Sequence, residues 1–167
     1  MLDLRQHIVN VPDFPKPGIL FRDITPLLSV AFGDTIAAMD ALLTEAEWER
    51  IDVVAGIESR GFIFAAALAQ RRGKGFVPVR KQGKLPPPVV DVEYKLEYGS
   101  GVLEMQMGRG QMYLVDDVLA TGGTLTAAAE LSVRAGYEVA ALGVLIDLRL
   151  IPPLQVGPVL TRSVIEY

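Results

Sequence analysis

At its centre the chain reads Tyr113-Leu114-Val115-Asp116-Asp117-Val118-Leu119-Ala120-Thr121-Gly122-Gly123-Thr124. The apolar run Met112 to Val115 predicts a buried strand that ends at two acids. The small residues that follow predict a tight loop, and Thr124 to Ala135 predicts a helix. A strand, a glycine-containing loop and a helix in this order indicate an α/β fold.

The loop in this stretch has the composition of a phosphate-binding site. Gly122 and Gly123 let the backbone turn sharply and point successive amide hydrogens inward, and Thr121 and Thr124 add hydroxyl donors. The N-terminus of the following helix supplies partial positive charge. We therefore expect a phosphate group here, although these four residues by themselves are more often an ordinary strand-to-helix turn.

Two acids, Asp116 and Asp117, precede the loop. Because a carboxylate repels a phosphate, these side chains are expected to face a neutral, hydroxyl-rich group or a cation. A ribose diol with a divalent metal nearby meets both conditions. The alternative is that one of the acids only caps the helix.

Outward from this stretch, strands alternate with helices. We expect one α/β domain, residues 1–167, with a mostly parallel twisted sheet flanked by helices. Three prolines exclude regular structure from Val11 to Gly18. The other predicted elements are a short helix ending near Asn10, a helix from Phe32 to Trp48 capped by Asp34, a strand from Ile51 to Gly56, a helix from Gly61 to Gln70, and strands from Phe76 to Val79 and from Val139 to Ile146.

Residues 82–108, named the hood here, lack a helical period. Two alternating runs, Val89 to Tyr98 and Val102 to Met107, flank Gly99-Ser100-Gly101 and predict a β-hairpin. A flexible hairpin inserted between two strand–helix units is a common cover of an active site.

Composition excludes several classes of protein. The 167 residues, 50% of them hydrophobic, suffice for one core. With no cysteine and the single histidine His7, neither a disulfide framework nor a Cys/His metal site is available. The formal charge of −4 argues against nucleic-acid binding. Because there is neither a signal-peptide pattern nor a bilayer-spanning apolar run, we expect a cytoplasmic protein without a membrane partner.

Positive charge is nevertheless clustered in one short stretch. A local basic patch on an acidic protein suits a compact anionic ligand. For the first two of its members, at a helix end, exposure at the helix terminus is an equal alternative. The cluster consists of Arg71, Arg72, Lys74, Arg80, Lys81 and Lys84.

The ten residues from Val115 to Thr124 resemble the signature of type I phosphoribosyltransferases, which bind 5-phosphoribosyl 1-pyrophosphate (PRPP). The resemblance implies the fold of that family, with a flexible hairpin hood. It implies that Asp116 and Asp117 grip the ribose 2′- and 3′-hydroxyls. It further implies that the 5′-phosphate is held by Ala120, Thr121, Gly122, Gly123 and Thr124. No lysine follows the glycines, so the loop differs from a Walker loop.

Three further blocks resemble the members of this family that act on adenine: Asp13 to Pro26, Gly56 to Phe62, and Val79 to Gly99. The resemblance covers roughly the first nine-tenths of the chain, in order and spacing. The implied reaction converts adenine and PRPP to AMP and pyrophosphate. Mg²⁺ is then expected, carried mostly by the diphosphate and waters rather than by protein ligands.

The resemblance also assigns the residues that meet the pyrophosphate. Arginine's planar fork suits a diphosphate, and Arg60 is expected to act in catalysis as well. Part of this clamp is donated across a dimer interface in the family, which predicts a homodimer. The assigned residues are Ser59, Arg60, Arg80, Lys81, Lys84 and Tyr98.

For the base, the resemblance implies backbone contacts around Leu20, with Phe21 and Leu148 on either face of the ring and Arg22 nearby. For Phe21, burial in the core is an equal alternative. Family members that act on 6-oxopurines usually place an acid at position 120 to manage the N7 proton. Ala120 has no ionisable group, which favours adenine over hypoxanthine and guanine.

The proton must then be handled elsewhere, and Glu97 in the hood is the candidate. Cleavage of the bond from ribose C1′ to pyrophosphate leaves an oxocarbenium-like sugar, and a carboxylate on a closing cover can assist proton movement or stabilise the charge. The alternative for Glu97 is a solvated loop carboxylate. Three other functions stay open: transfer to another purine, a non-catalytic PRPP- or purine-binding regulator, and a structural domain.

Overall fold

The chain contains both helices and strands, and most of the strands join one sheet. The computed structural model describes residues 3–96 and 99–167. The elements in chain order are a 3₁₀ turn (Leu4–His7), β1 (Val9–Pro12), β2 (Leu20–Asp23), α1 (Thr25–Val30), α2 (Phe32–Asp40), α3 (Glu45–Arg50), β3 (Val53–Ile57), α4 (Arg60–Arg72), β4 (Gly75–Lys81), β5 (Val89–Leu96), β6 (Gly99–Gln106), β7 (Gly110–Leu119), α5 (Gly123–Arg134), β8 (Tyr137–Asp147), β9 (Gln155–Val156) and β10 (Val159–Glu166).

In the described part of the chain, the main sheet has eight strands in the order β5-β6-β4-β3-β7-β8-β10-β9, and β1 pairs with β2 separately. Strands β4, β3, β7, β8 and β10 run parallel. Strands β5, β6 and β9 pair antiparallel towards the two edges. The predicted α/β class with a mostly parallel sheet is confirmed. Ligands bind beyond the carboxyl ends of parallel strands, so this end of the sheet is where the site is sought.

The core has two layers, one on each face of the sheet. Because side chains alternate along a strand, Tyr113 packs with α2, α3 and α4, whereas its neighbour Leu114 packs towards α5. Phe64 in the first layer and Leu131 in the second are fully buried, and burial of such a side chain stabilises the fold by about 1.5–3 kcal/mol. No helix in the described ranges has the length and apolar character needed to cross a membrane.

The N-terminal segment corrects one prediction. The helix predicted to end near Asn10 is a 3₁₀ turn followed by β1, in which Asn10 lies opposite Arg22 of β2. Regular structure also enters the proline-containing segment, because β1 continues to Pro12. The short α1 and the strands β2, β9 and β10 were not predicted.

The helix predicted from Phe32 to Trp48 is two helices. Thr44 begins the second one, because its hydroxyl accepts the N–H of Glu47 at 3.3 Å while Glu47 accepts the N–H of Thr44 at 2.8 Å. The predicted cap Asp34 is wrong as well, since it lies in the first turn of α2 and Ala31 occupies the cap position.

The predicted hairpin of the hood is formed by β5 and β6, but its predicted turn is wrong, because Gly99, Ser100 and Gly101 lie in β6 and pair with β5. It extends the sheet beyond β4, with Arg80 opposite Glu104. A Cβ added to Gly123 would lie 3.4 Å from the carbonyl oxygen of Lys95, so the hairpin lies directly against the start of α5. Glu97 and Tyr98, assigned by the sequence to catalysis and to pyrophosphate or ribose, lie outside the described residues.

Candidate active site

The carboxyl end of β7 and the start of α4 bring a carboxylate and a cation together. Arg60 is the first residue of α4, and its Nε lies 2.7 Å from Oδ2 of Asp117. The Arg60 side chain is 35% exposed, and both side chains border the smaller cavity described below. The sequence assigned Arg60 to pyrophosphate and Asp117 to ribose, and the structure places both at the same end of the sheet, paired with each other.

The neighbouring acid, Asp116, is buried. Its Oδ1 accepts the N–H of Asp117 at 2.9 Å, and a Cβ added to Gly61 would lie 3.1 Å from that oxygen. Burial, with the nearby Asp117 carboxylate adding to it, raises the pKa of Asp116 well above its ordinary value. Strand β7 also runs past its predicted end at Val115 to Leu119, so the two acids lie within the strand.

The predicted phosphate loop joins β7 to α5. Gly122 has a φ of 81°, a left-handed conformation that favours glycine, and it is the N-cap residue of α5. Since glycine has no side chain, this residue leaves the first amides of the helix uncovered. A cavity of about 970 Å³ is bordered by Ala120, Thr121, Gly123 and Thr124. Four of the five residues assigned to the phosphate therefore share the wall of one open space.

A smaller cavity of about 140 Å³ adjoins the loop at Ala120, which borders both spaces. Its walls include the four residues assigned to the base, Leu20, Phe21, Arg22 and Leu148. The other walls are formed by Ile19, Arg60, Asp117, Val118 and Ile146. An apolar space with a few polar groups at one side suits a planar heterocyclic base.

Phe21 joins this smaller cavity to the N-terminal segment. Its ring centroid lies 5.1 Å from that of Phe14 in an edge-on arrangement, and the guanidinium carbon of Arg60 is 5.2 Å from the Phe21 ring centroid. The ring is half-buried and borders the cavity. Packing against the protein therefore leaves part of the ring open to a ligand.

The Arg22 side chain is turned towards its neighbours. Its Nη1 donates to Oδ1 of Asn10, and its guanidinium carbon lies 3.9 Å from the ring centroid of Tyr167. Tyr167 and Lys95 border the larger cavity but were not predicted as site residues. Tyr167 reaches the site because it follows β10, where its N–H donates to the carbonyl of Asp147 at 3.0 Å. Tyr167 belongs to no local motif that could have identified it, whereas Lys95 lies within the block Val79 to Gly99, two residues before Glu97.

The segment assigned to pyrophosphate starts within β4. Arg80 and Lys81 are the last residues of this strand rather than residues beyond it, because the strand continues past Val79. Oε2 of Glu58 accepts the N–H of Lys81 at 2.9 Å and lies 3.4 Å from Nε of Arg80. The hydrogen bond from the Lys81 amide, helped by Arg80, holds the pKa of Glu58 below its ordinary value. Ser59 follows Glu58 through a cis peptide bond and precedes α4.

The basic cluster seen in the sequence falls into two groups. At the far end of α4, Nε of Arg72 lies 2.6 Å from Oδ1 of Asp40 and its Nη1 lies 2.7 Å from Oε2 of Glu45. Arg72 is therefore ion-paired and only 20% exposed, whereas Arg71 is exposed at the helix end. Lys84 is exposed in the turn after β4, where Nη1 of Arg80 donates to its carbonyl at 3.3 Å. The members of the cluster near the strand ends are therefore Arg80, Lys81 and Lys84.

The donor groups at the site fit a metal ion that arrives with its substrate. Within residues 3–96 and 99–167, no three acidic or histidine side chains gather closely enough to hold a metal by themselves. The Asp117 carboxylate borders the cavity, with Oδ2 engaged by Arg60. Mg²⁺ is usually bound through one or two carboxylates, substrate phosphates and waters, and this arrangement suits that mode.

Known proteins are similar in sequence to this chain over nearly its whole length. Residues 31–149 match the phosphoribosyl transferase domain family. An adenine phosphoribosyltransferase from Hydrogenovibrio crunogenus is 50% identical over 165 residues, which cover 98% of this chain and 96% of that protein. One from Bdellovibrio bacteriovorus is 48% identical over 166 residues, covering 99% and 100%.

Solved structures agree in fold. The adenine phosphoribosyltransferase of Rhodothermus marinus has a TM-score of 0.85 at 41% identity, covering 98% of this chain and 96% of that one. The Saccharomyces cerevisiae enzyme, complexed with an imino-altritol bisphosphate and adenine, has a TM-score of 0.82 at 38% identity, covering 87% of each chain.

A glycine loop at the carboxyl end of a central parallel strand, with an antiparallel hairpin beside it, defines a phosphoribosyltransferase of type I. Within that class the chain belongs to the adenine phosphoribosyltransferases. The fold and the family predicted from the sequence are both confirmed.

Proposed function

We propose that this chain transfers the 5-phosphoribosyl group of PRPP to N9 of adenine, giving AMP and pyrophosphate in purine salvage. One observation carries the proposal. The phosphate loop ends against a small apolar cavity, and Ala120 borders both the loop space and the cavity. A sugar phosphate in the loop would present its C1′ carbon to a base in the cavity.

PRPP is held by three groups of residues. The loop from Thr121 to Thr124 and the first amides of α5 take the 5′-phosphate. Asp116 and Asp117 accept hydrogen bonds from the ribose hydroxyls, so the Arg60–Asp117 pair loosens as the ribose binds. The diphosphate is then contacted by Ser59, Arg60, Arg80, Lys81, Lys84 and Tyr98.

Adenine occupies the smaller cavity. Phe21 and Leu148 lie on its two faces, and backbone groups around Leu20 and Arg22 read its polar edge. Ala120 supplies no charged group towards the ring. This environment suits adenine, which needs no acid at this position to manage a proton on N7.

The chemical step exchanges one bond for another. The bond between C1′ and the pyrophosphate oxygen breaks, and its electron pair leaves with pyrophosphate. The N9 lone pair forms the new bond to C1′, and the proton of the base departs to an acceptor, for which Glu97 is assigned. Arg60 stabilises the negative charge that develops on the leaving group. When Mg²⁺ accompanies the diphosphate, it would supply further neutralisation of that charge.

The active form is proposed to be a cytoplasmic homodimer. Ile63 on α4 and Phe76 on β4 are 39% and 40% exposed. Phe62 packs edge-on against Phe76 at 5.8 Å between ring centroids. These apolar side chains lie on the elements that carry Arg60 and Arg80, so a partner covering them would sit beside the pyrophosphate residues.

The test is a steady-state assay of pyrophosphate release with PRPP and Mg²⁺, comparing adenine with hypoxanthine. We expect release with adenine to exceed release with hypoxanthine by at least about a hundredfold in kcat/KM. A preference for hypoxanthine would contradict the assignment of the base. Calorimetric binding of PRPP without any pyrophosphate release would instead indicate a regulator.

A further inference from the structure

Glu104 is a buried carboxylate with no part in the steps above. It lies on β6 and is 3% exposed. Its two oxygens accept three consecutive backbone N–H groups: that of Gly83 at 3.0 Å, that of Lys84 at 2.7 Å and that of Leu85 at 2.6 Å. The carboxylate thus occupies a nest of amides of the kind that otherwise binds an anionic ligand.

These hydrogen bonds decide the charge of Glu104. Burial raises the pKa of a carboxyl group, but the three amides and the nearby Arg80 guanidinium outweigh it and hold the pKa of Glu104 below its ordinary value. Glu104 is therefore ionised at neutral pH. Removing that charge would leave three amides facing inward with a poorer acceptor or none.

The amides belong to the loop that carries the pyrophosphate residues. In this basic loop (residues 80–85), Glu58 holds the N–H of Lys81, and Arg80 closes the turn by donating to the carbonyl of Lys84 at 3.3 Å. Glu104 accepts the N–H groups of three further residues of the loop, Gly83, Lys84 and Leu85. Two carboxylates from different parts of the sheet therefore fix a loop that carries three cations, and neither belongs to the walls of the two cavities described above.

We propose that Glu104 is a positioning residue for the pyrophosphate group: as an internal anion it holds the basic loop in its binding conformation before PRPP arrives. Because Glu104 belongs to the hairpin, it also ties that hairpin to the basic loop. This inference rests on the proposed function and deepens it, since it concerns the diphosphate half of the substrate alone.

The first experiment uses the Glu104→Gln variant of the full chain. The amide keeps the size of the side chain but replaces one accepting oxygen with a donor and removes the charge. We expect its KM for PRPP, and the dissociation constant for pyrophosphate measured by calorimetry, to rise about tenfold. The KM for adenine should stay within about twofold. The matched control is Glu93→Gln on the exposed face of β5, which should bind pyrophosphate as the parent chain does.

A second pair of variants tests the backbone of the loop while leaving the Glu104 side chain in place. Gly83 has a φ of 81° and open space around its Cβ position, so Gly83→Ala strains only the backbone of the basic loop. Gly73, at the end of α4, has a φ of 63° and the same open surroundings. We expect Gly83→Ala to weaken pyrophosphate binding several-fold and Gly73→Ala to leave it unchanged.

Two results would overturn the inference: parent-like pyrophosphate affinity in Glu104→Gln, or an equal loss of affinity for adenine and PRPP. If Glu104→Gln does not fold, the Gly83→Ala result decides, and unchanged affinity there counts against the inference. Calorimetry with pyrophosphate needs no turnover. A failure of the proposed reaction would therefore appear in the assay of the parent chain and remain distinct from a failure of this inference.

Discussion

Ala120 decides the choice of base, because it belongs to the phosphate loop and borders the base cavity. A carboxylate there would face an apolar space and suit a base that carries an N7 proton. We expect Ala120→Asp to lower kcat/KM for adenine at least about tenfold and to narrow the gap to hypoxanthine. Ala120→Ser, which is small and neutral, is the control. An aspartate variant with unchanged preference would remove Ala120 from the specificity argument.

Glu97 is the residue assigned to the proton transfer. If its carboxylate assists the proton transfer, Glu97→Gln should lower kcat about 10²- to 10⁴-fold while the KM values for PRPP and adenine change little. Single-turnover kinetics with both substrates saturating measures this step directly. Full turnover by the variant would show that Glu97 is only a solvated loop residue.

Replacing Asp116 by an uncharged residue should raise the stability of the fold but weaken the binding of PRPP. Its pKa is raised in the folded chain by burial and by Asp117. A carboxyl with a raised folded-state pKa favours folding below its unfolded value of 3.8 and loses that contribution as the pH rises through the folded-state pKa. Asp116→Asn, uncharged throughout, should therefore have a higher Tm than the parent chain at neutral pH, with the gap closing in acid, and a higher KM for PRPP. Circular dichroism melts across this pH range would refute the prediction if the variant melted lower at every pH.

Glu47 joins elements that are distant in sequence. Its carboxylate accepts hydrogen bonds from Nη2 of Arg162 on β10 at 2.5 Å and from Nη1 of the same residue at 3.0 Å. It also accepts the N–H of Thr44 at the start of α3. The Arg162 hydrogen bonds, with the Thr44 amide second, lower the pKa of Glu47 to about 2. A lowered pKa stabilises the fold above the unfolded value of 4.5, and this contribution is lost as the pH falls towards about 2.

We therefore expect Glu47→Gln, which loses the ion pair with Arg162, to lower the free energy of unfolding by up to about 1 kcal/mol at neutral pH, with the difference shrinking in acid. Urea unfolding followed by circular dichroism measures it. Glu49→Gln, an exposed change on the same helix, should have no effect. An equal loss in both variants would mean that the link between α3 and β10 contributes nothing.

An element can be predicted from the sequence when the residues that determine it are close together in the chain. Strands β3, β4, β7 and β8 were found because buried parallel strands are continuous apolar runs, although β4 and β7 were predicted too short. The break between α2 and α3 was missed because the apolar spacing continues through Leu42 and Leu43, although Thr44 and Glu47 carry a capping-box pattern. Strand β10, with its alternating exposure, lacks a continuous apolar run and takes its place from pairing with β8.

The same distinction between local and distant residues holds for the site. The phosphate loop could be predicted because its glycines, threonines and helix start are adjacent in sequence. Three other contacts could not be predicted, because each joins residues that only the sheet order brings together. They are the ion pair of Arg60 with Asp117, the packing of Arg22 on Tyr167, and the hydrogen bonds of Glu104 to the basic loop.

At the scale of the whole molecule, the proposed dimer makes a prediction about mass. Sedimentation should give twice the 18.1 kDa of one chain. Phe76→Glu, on the exposed apolar side of β4, should shift the mass towards the monomer and weaken pyrophosphate binding. Val133→Glu, a charge at a 62% exposed position on α5, is the control. A parent chain that sediments as a monomer would contradict the proposal.

The burial of Trp48 gives the molecule an optical probe. It is the one tryptophan of the chain, is 2% exposed, and donates its indole N–H to the carbonyl of Asp40 at 2.9 Å. The Trp48 ring packs against the guanidinium of Arg72. Arg72 ends α4, and Arg60, at the start of that helix, is about 18 Å away along the helix axis. Its fluorescence will therefore report whether the core is intact while remaining insensitive to ligands. A change of this fluorescence during a substrate titration will therefore indicate loss of the fold and not binding.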